Sequence, residues 1–166
     1  YGWINYSFIK KRQIDLQFNP VGGEERFWLG PEGGVFSLYF RQGEKQIYKN
    51  WKVPPVLDIE AFKIQSQSKN CICLTKEGCL TNACGTTFYL NIKRTISLLD
   101  INEFAASFNL EFPKDIKAVA YKSDNQITNI GNESWNKETG LISVWMLSMF
   151  NPTSATTVFI PYKQSR

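Results

Sequence analysis

Histidine is absent from this sequence of 166 residues. Its absence excludes a Ser-His-Asp or Cys-His nucleophile system, a His-ligated metal and a His general acid within the chain. Acid–base catalysis would have to rest on carboxylates, lysine, tyrosine or cysteine. Long apolar runs are also missing: none approaches the roughly 20 residues that span a bilayer. We therefore expect a soluble protein without a membrane span.

Concentrated charge is scarce as well. The formal net charge is +4, and apart from one run of three the basic residues are scattered singly or in pairs. The densest basic patch, at residues 10–12, is followed at once by Asp15. Because nucleic-acid binding usually needs a basic stripe, this pattern favours an ordinary solvated surface and no nucleic-acid partner.

The four cysteines, Cys71, Cys73, Cys79 and Cys84, do not have the spacing of a common zinc site. We expect structural cysteines on a hairpin, and no metal or cofactor. The alternatives are a metal site or a disulfide, and the only pairing considered joins Cys73 to Cys79 or Cys84 across a turn. Because this choice is open, the cysteines do not indicate a compartment.

The composition favours an all-β fold with one short helix, because aromatic residues make up 14% of the chain and Ala is scarce. One β-sandwich domain is expected over residues 1–166. The patterns predict strands at residues 1–6, 34–40, 86–98, 141–150 and 156–162, a hairpin of residues 116–121 and 126–130 turning at 123–125, and a helix that Asp100 caps.

Two of these strands carry further predictions. Residues 141–150 are apolar on both faces, so the strand is expected in the middle of a sheet that is covered on both sides. Arg94 interrupts the apolar face of strand 86–98. A buried charge needs a partner, so Arg94 is expected either in a structural ion pair, or at the end of the core, or in contact with a ligand.

The segment of residues 19–34 is rich in glycine and proline and carries Arg26, Trp28 and Glu32. If residues 26–29 are extended, Arg26 and Trp28 share one face, and we predict that both reach one solvent-accessible concavity. An aromatic ring beside charged groups is typical of sugar binding, since the ring stacks on C–H faces and the charges bind hydroxyls. The alternative is a structural loop with Trp28 in the core and Arg26 paired to Glu32.

A polar loop at residues 132–137 supplies two further candidate ligand-binding residues, Trp135 and Lys137. A large aromatic residue has no obvious packing role in such a loop. The alternative for Trp135 is packing over the end of a sheet.

The sequence GGEERFWLGPEGG at residues 22–34 resembles the hallmark of an uncharacterised bacterial family related to the galactose mutarotases (aldose 1-epimerases). Shorter matches follow in order along nearly the whole chain, among them residues 2–5, 80–86 with Arg94, 131–141 and 145–161. The resemblance implies the N-terminal part of a β-supersandwich whose concave face binds a carbohydrate, with Arg26, Trp28, Glu32, Arg94, Trp135 and Lys137 as candidate ligand-binding residues. It also favours a periplasmic or secreted location.

The resemblance implies binding rather than turnover by this chain alone. Mutarotases use a His as acid and a late Glu as base; the His is absent, and the region of the late Glu is expected beyond Arg166. One alternative is an epimerase or glycoside hydrolase with part of its machinery outside this chain, in which Glu32 could pair with Asp58 or Glu60. Another is a structural sandwich that mediates protein contacts. If strands are supplied from elsewhere, open edges and uncovered apolar faces should associate with another chain or with the remaining polypeptide.

Overall fold

The computed structural model describes residues 2–162 and is mostly β, with two antiparallel sheets in a sandwich-like arrangement. This confirms the predicted fold class. The strands are β1 (Arg26–Gly30), β2 (Lys63–Gln67), β3 (Cys71–Thr81), β4 (Thr87–Leu99), β5 (Ala120–Asn129) and β6 (Ser143–Leu147). The helices are α1 (Tyr6–Ile9), α2 (Pro55–Asp58) and α3 (Ile101–Ser107), with a 3₁₀ turn at Tyr48–Asn50.

The larger sheet has the order β2-β3-β4-β5, and its centre is the long β3–β4 hairpin. Strand β4 confirms the prediction for residues 86–98. Phe88, Leu90 and Ile92 alternate into the core and are almost fully buried, whereas Tyr89 faces outward. This alternation is what a sheet with one covered face requires.

The smaller sheet pairs β1 with β6, from Arg26 opposite Leu147 to Gly30 opposite Ser143. The side chains of β1 join the same core as β4. Trp28 stacks on Tyr39, and Tyr39 stacks in turn on Trp51, with ring centroids 5.8 Å and 5.6 Å apart. The core is therefore largely aromatic on the β1 side.

Helix α3 begins where the sequence predicts. The Asp100 side chain accepts hydrogen bonds from the backbone amides of Asn102 and Glu103, which is the geometry of an N-cap. Ala105 is the buried residue of this helix.

Two of the predicted β elements are wrong. Residues 34–40 form turns and bends, and Ser37 to Phe40 are buried consecutively rather than alternately. Their backbone bonds go to separate segments, including Leu38 N to Pro31 O and Ala83 N to Ser37 O. The predicted turn at residues 123–125 instead lies within β5, where these residues pair with residues 94–96 of β4.

The predictions for the ends of the chain also need correction. Among residues 2–162, strand β6 pairs only with β1, and Val144 and Trp145 on it are 38% and 37% exposed, so it is not a covered central strand. Residues 156–162 form no strand. At the other end, Gly2 and Ile4 make isolated bridges, and Tyr6 begins α1. The prediction for Tyr1 falls outside the described residues.

The cysteines lie on the β3–β4 hairpin, as predicted, and those of the described residues are free thiols. Cys71, Cys73 and Cys79 all belong to β3, and Cys84 lies in the turn that follows. A disulfide from Cys73 to Cys79 or Cys84 is therefore wrong, because a strand rises by about 3.3 Å per residue and keeps these thiols far apart.

Candidate functional site

Arg26 makes a buried ion pair with Asp58 of α2. Its Nη2 lies 2.7 Å from Asp58 Oδ1, and the two side chains are only 9% and 4% exposed. Nη1 donates to the Asn19 carbonyl, and Asn19 donates from both its backbone N and its Nδ2 to Asp58 Oδ2. Arg26 is thus paired, as the structural alternative supposed, but its partner is Asp58 and not Glu32.

Trp28 lies on the same side of β1 as Arg26, whose guanidinium carbon sits 5.1 Å from the centre of the Trp28 ring. Trp28 is nevertheless only 3% exposed, so the predicted solvent-accessible concavity shared by the two side chains is wrong. The indole Nε1 donates to Oε1 of the exposed Glu32 at 2.6 Å. Glu32 therefore orients the Trp28 indole rather than pairing with Arg26.

Arg94 is buried and paired. Its Nη2 lies 2.9 Å from Glu25 Oε1, and its Nε donates to Asn125 Oδ1 at 2.8 Å. Burial lowers the pKa of Arg94, and Glu25 opposes this shift. The ion-pair alternative accounts for the contacts that Arg94 makes in this structure.

Lys76 of β3 reaches the same region. Its ammonium donates to the carbonyls of Val56 and Glu60 and lies 4.1 Å from the centre of the Phe62 ring. Burial lowers the pKa of Lys76 to about 8. Unlike the two arginines, Lys76 has no carboxylate within ion-pair distance among residues 2–162.

These charges line one small cavity of about 220 Å³, which we call the charged cavity. Its charged lining residues are Glu25, Arg26, Asp58, Glu60, Lys76 and Arg94. The buried polar side-chain atoms of the described residues all have hydrogen-bond partners within the protein. The buried side chains of the charged cavity therefore form a network in which each polar atom has a partner, and this network connects β1, α2, β3 and β4.

A second cavity, the Tyr89 cavity, has a different chemistry. It measures about 450 Å³ and is lined by Thr87, Tyr89, Asn129, Ile130, Gly131, Asn132, Glu133 and Trp135. Tyr89 is 54% exposed on the outer face of β4. Trp135 is half-buried and packs edge-to-face on Phe88, with ring centroids 5.9 Å apart. Two aromatic rings, amides and a carboxylate thus border one open space.

The loop that follows β5 positions these groups through the side chain of Asn129. Asn129 Nδ2 donates to the Glu133 carbonyl at 2.7 Å, and its Oδ1 accepts from the Gly131 amide at 2.9 Å. Gly131 packs closely on Tyr89, since a Cβ at this position would lie 3.3 Å from Tyr89 Cδ2. The loop is therefore fixed, while the Glu133 carboxylate makes no ion pair among residues 2–162.

The structure separates the six predicted site residues. Arg26 and Arg94 line the charged cavity, Trp135 lines the Tyr89 cavity, and Lys137 is exposed in the turn closed by the Asn136–Gly140 bridge. The packing alternative for Trp135 holds in part, because its ring packs edge-to-face with the ring of Phe88. The sequence patterns did not lead to Lys76 or Tyr89. Lys76 could have been found, because it interrupts one face of β3 in the same way that Arg94 interrupts the apolar face of β4.

The structure also bears on the predicted carboxylate pair, on metal binding and on membrane spans. Asp58 is held by Arg26 and Asn19, so it is not free to act with Glu32 as a carboxylate pair. No group of three or more His, Cys, Asp or Glu side chains suited to a metal ion occurs in residues 2–162. Within the same residues, no helix is long and apolar enough to cross a membrane.

The fold and its cavities define an all-β protein with two antiparallel sheets and an aromatic, amide-lined cavity at one strand edge. The whole chain, residues 1–166, matches a family of unknown function, DUF6786, and belongs to that family. Neither a curated protein nor a solved structure gives a significant match.

Proposed function

We propose that this chain is a carbohydrate-binding module and that the Tyr89 cavity receives the saccharide. The observation that carries the proposal is that the exposed Tyr89 ring and Trp135 line one cavity with Asn132 and Glu133, whose side chains make no hydrogen bond or ion pair among residues 2–162. Aromatic faces stack on the C–H faces of a sugar, and amide and carboxylate groups bind its hydroxyls. The resemblance of residues 22–34 to a mutarotase-related family supports the same ligand class.

The dimensions of the cavity agree with this ligand class. Its volume of about 450 Å³ falls within the usual range for small-molecule sites, about 300–1,000 Å³. Asn132 and Glu133 are exposed and can take up hydroxyl contacts without breaking a buried network. The charged cavity is less suitable, because the carboxylates of Asp58 and Glu25 already bind its two guanidinium groups.

The proposal assigns different roles to the predicted residues. Tyr89 and Trp135 contact the saccharide, and Glu133 and Asn132 select hydroxyl positions. Arg26, Trp28 and Arg94 stabilise the sheets that carry the site, through the contacts with Asp58, Glu32 and Glu25. No residue is assigned to catalysis.

A glycan array followed by titration calorimetry tests the proposal. We expect Tyr89→Ala to weaken binding of the array's best ligand by at least about tenfold, roughly 1.4 kcal/mol. Glu133→Gln should weaken it less. Tyr6→Ala is the matched control, because Tyr6 is 64% exposed on α1 and does not line the cavity. Absence of binding to every glycan, or equal affinity of Tyr89→Ala and Tyr6→Ala, would contradict the proposal.

A second role, association through an apolar surface, is favoured by two further observations. Val158, Phe159, Ile160 and Tyr162 are between 71% and 86% exposed, although β-branched and aromatic residues usually pack. Strand β6 also has a strand partner on one edge only within the described part of the chain. A strand or sheet face of another chain, or of further polypeptide, would cover these groups.

A further inference from the structure

A further cavity of the described residues has no lining residue in common with the charged cavity or the Tyr89 cavity. It measures about 590 Å³ and lies between the chain segments 38–42 and 50–55 and the end of β3; we call it the Cys79 cavity. Two backbone hydrogen bonds of 2.9 Å hold its walls together, from Lys52 N to Tyr39 O and from Val53 N to Gln17 O. Beside it, β4 is the only strand of the described residues that pairs with β3, because β2 pairs with β3 only as far as Thr75.

The lining of the Cys79 cavity is apolar at its base. Leu38, Val53 and Leu80 are each 5% exposed and belong to the main core, so this part of the surface is rigid. Leu16 is 82% exposed at the opening. An apolar molecule placed here would bury its own surface and that of Leu16, since the base has little surface left in contact with water, and each Å² contributes about 25 cal/mol.

The polar groups of the lining are mostly occupied. The Tyr39 hydroxyl donates to the Leu29 carbonyl, Asn82 Nδ2 to Thr139 O, and Asn50 Nδ2 to Lys45 O. Thr81 Oγ1 shares a hydrogen bond with Thr87 Oγ1. A sugar, which needs many hydrogen-bond partners, would therefore find few in this cavity.

Two charged groups remain available, and both are positive. Arg41 and Lys52 line the cavity, and no Asp or Glu does. Neither side chain has an ion pair or a hydrogen bond within the part of the chain that the structure describes. The rim therefore complements a negative charge and repels a cation.

We propose that the Cys79 cavity is a binding site for a small amphipathic anion, with an apolar body on Leu38, Val53 and Leu80 and a carboxylate or sulfonate at Arg41 and Lys52. The apolar base determines where the body lies, and the two cations determine its orientation. Cys79 is exposed at the edge of the site and reports its occupancy. Its lining residues are not those of the proposed saccharide site, although Cys79 lies opposite Tyr89 in the β3–β4 ladder.

Fluorescence titration with 1-anilinonaphthalene-8-sulfonate, an aromatic anion, tests the charge requirement, and uncharged N-phenyl-1-naphthylamine serves as the neutral comparison. We expect Arg41→Gln and Lys52→Gln each to weaken binding of the sulfonate by at least about fivefold, because each removes a charged hydrogen-bond donor. Binding of the neutral amine should change by less than about twofold. Lys49→Gln is the matched control, since Lys49 is exposed but does not line the cavity.

A second readout separates this site from other exposed apolar surface. Saturating sulfonate should slow iodoacetamide alkylation of Cys79 at least about threefold in the wild type and not in Arg41→Gln/Lys52→Gln, because the bound ring excludes the reagent. Mass spectrometry of the alkylated chain gives the rate at each cysteine. Unchanged alkylation of Cys79, or equal sulfonate affinity of the charge variants and Lys49→Gln, would overturn the proposal.

Discussion

Replacing Asp58 by Asn should destabilise the protein strongly, because the buried Arg26–Asp58 pair holds α2 against β1. Both carboxylate oxygens of Asp58 accept hydrogen bonds: Oδ1 accepts from Arg26, and Oδ2 accepts from both nitrogens of Asn19. An Asn amide must turn its NH₂ group toward one of these donors. It also leaves the guanidinium of Arg26 without a counter-charge in a site where its side chain is only 9% exposed.

The magnitude follows from the cost of an unpaired buried charge, about 3–5 kcal/mol. Urea unfolding, followed by tryptophan fluorescence, measures it directly. With a slope of about 2 kcal/mol per M, a loss of about 3 kcal/mol lowers the unfolding midpoint by about 1.5 M. Asp115→Asn is the matched control, since Asp115 is exposed and takes part in neither ion pair; it should shift the midpoint by less than about 0.3 M.

The double variant Arg26→Met/Asp58→Asn distinguishes the cost of the unpaired Arg26 charge from the cost of the changed side chain at position 58. With the guanidinium removed, the amide introduced by the Asp58→Asn change can turn its oxygen to Asn19 and its NH₂ toward the methionine, so no donor faces another donor. We expect this variant to be more stable than Asp58→Asn alone by more than about 1 kcal/mol. The reasoning is refuted if Asp58→Asn resembles Asp115→Asn, or if the double variant is no more stable than the single one.

Two further predictions concern Lys76 and the exposed apolar segment. The folded pKa of Lys76, about 8, lies below its ordinary value of 10.5, so the unfolded chain binds more protons between these pH values. The free energy of unfolding of the wild type should therefore rise from pH 8 to 10.5 relative to Lys76→Met, and equal slopes in urea melts would contradict this. Light scattering at micromolar concentration should show association that Phe159→Glu reduces and Thr156→Glu does not; a wild-type monomer would contradict it.

The local patterns of the sequence determined the elements whose stabilising contacts are also local. Strand β4 was predictable because its apolar residues alternate between Phe88 and Ile92, and each needs only the covered face of its own sheet. Helix α3 was predictable because its cap, Asp100, lies next to the amides that it binds. The all-β class followed from composition for the same reason, since β propensity belongs to individual residues.

Predictions from alternation and from turn propensity were wrong where segments distant in the sequence form hydrogen bonds with the backbone. Residues 34–40 alternate as cleanly as β4, yet their amides and carbonyls bond to Pro31, Lys52 and Ala83 in place of a ladder. Asp124 and Asn125 favour turns, but pairing with β4 along the whole of β5 supplies more hydrogen bonds than a turn would. Asn125 also provides the oxygen that binds Arg94 Nε.

The sequence by itself determined that Arg94 needs a partner, because a charge on an apolar face is costly wherever the fold places it, and it offered a pairing of Arg26 as one of two alternatives. Only the tertiary structure decided which partners they have: Asp58 lies 32 positions from Arg26, and Glu25 lies 69 positions from Arg94. The same holds for the Tyr89 cavity, whose walls come from β4 and from the loop after β5. Periodicity shows which face of a strand is covered, whereas the covering segment is selected by long-range packing, which no local pattern records.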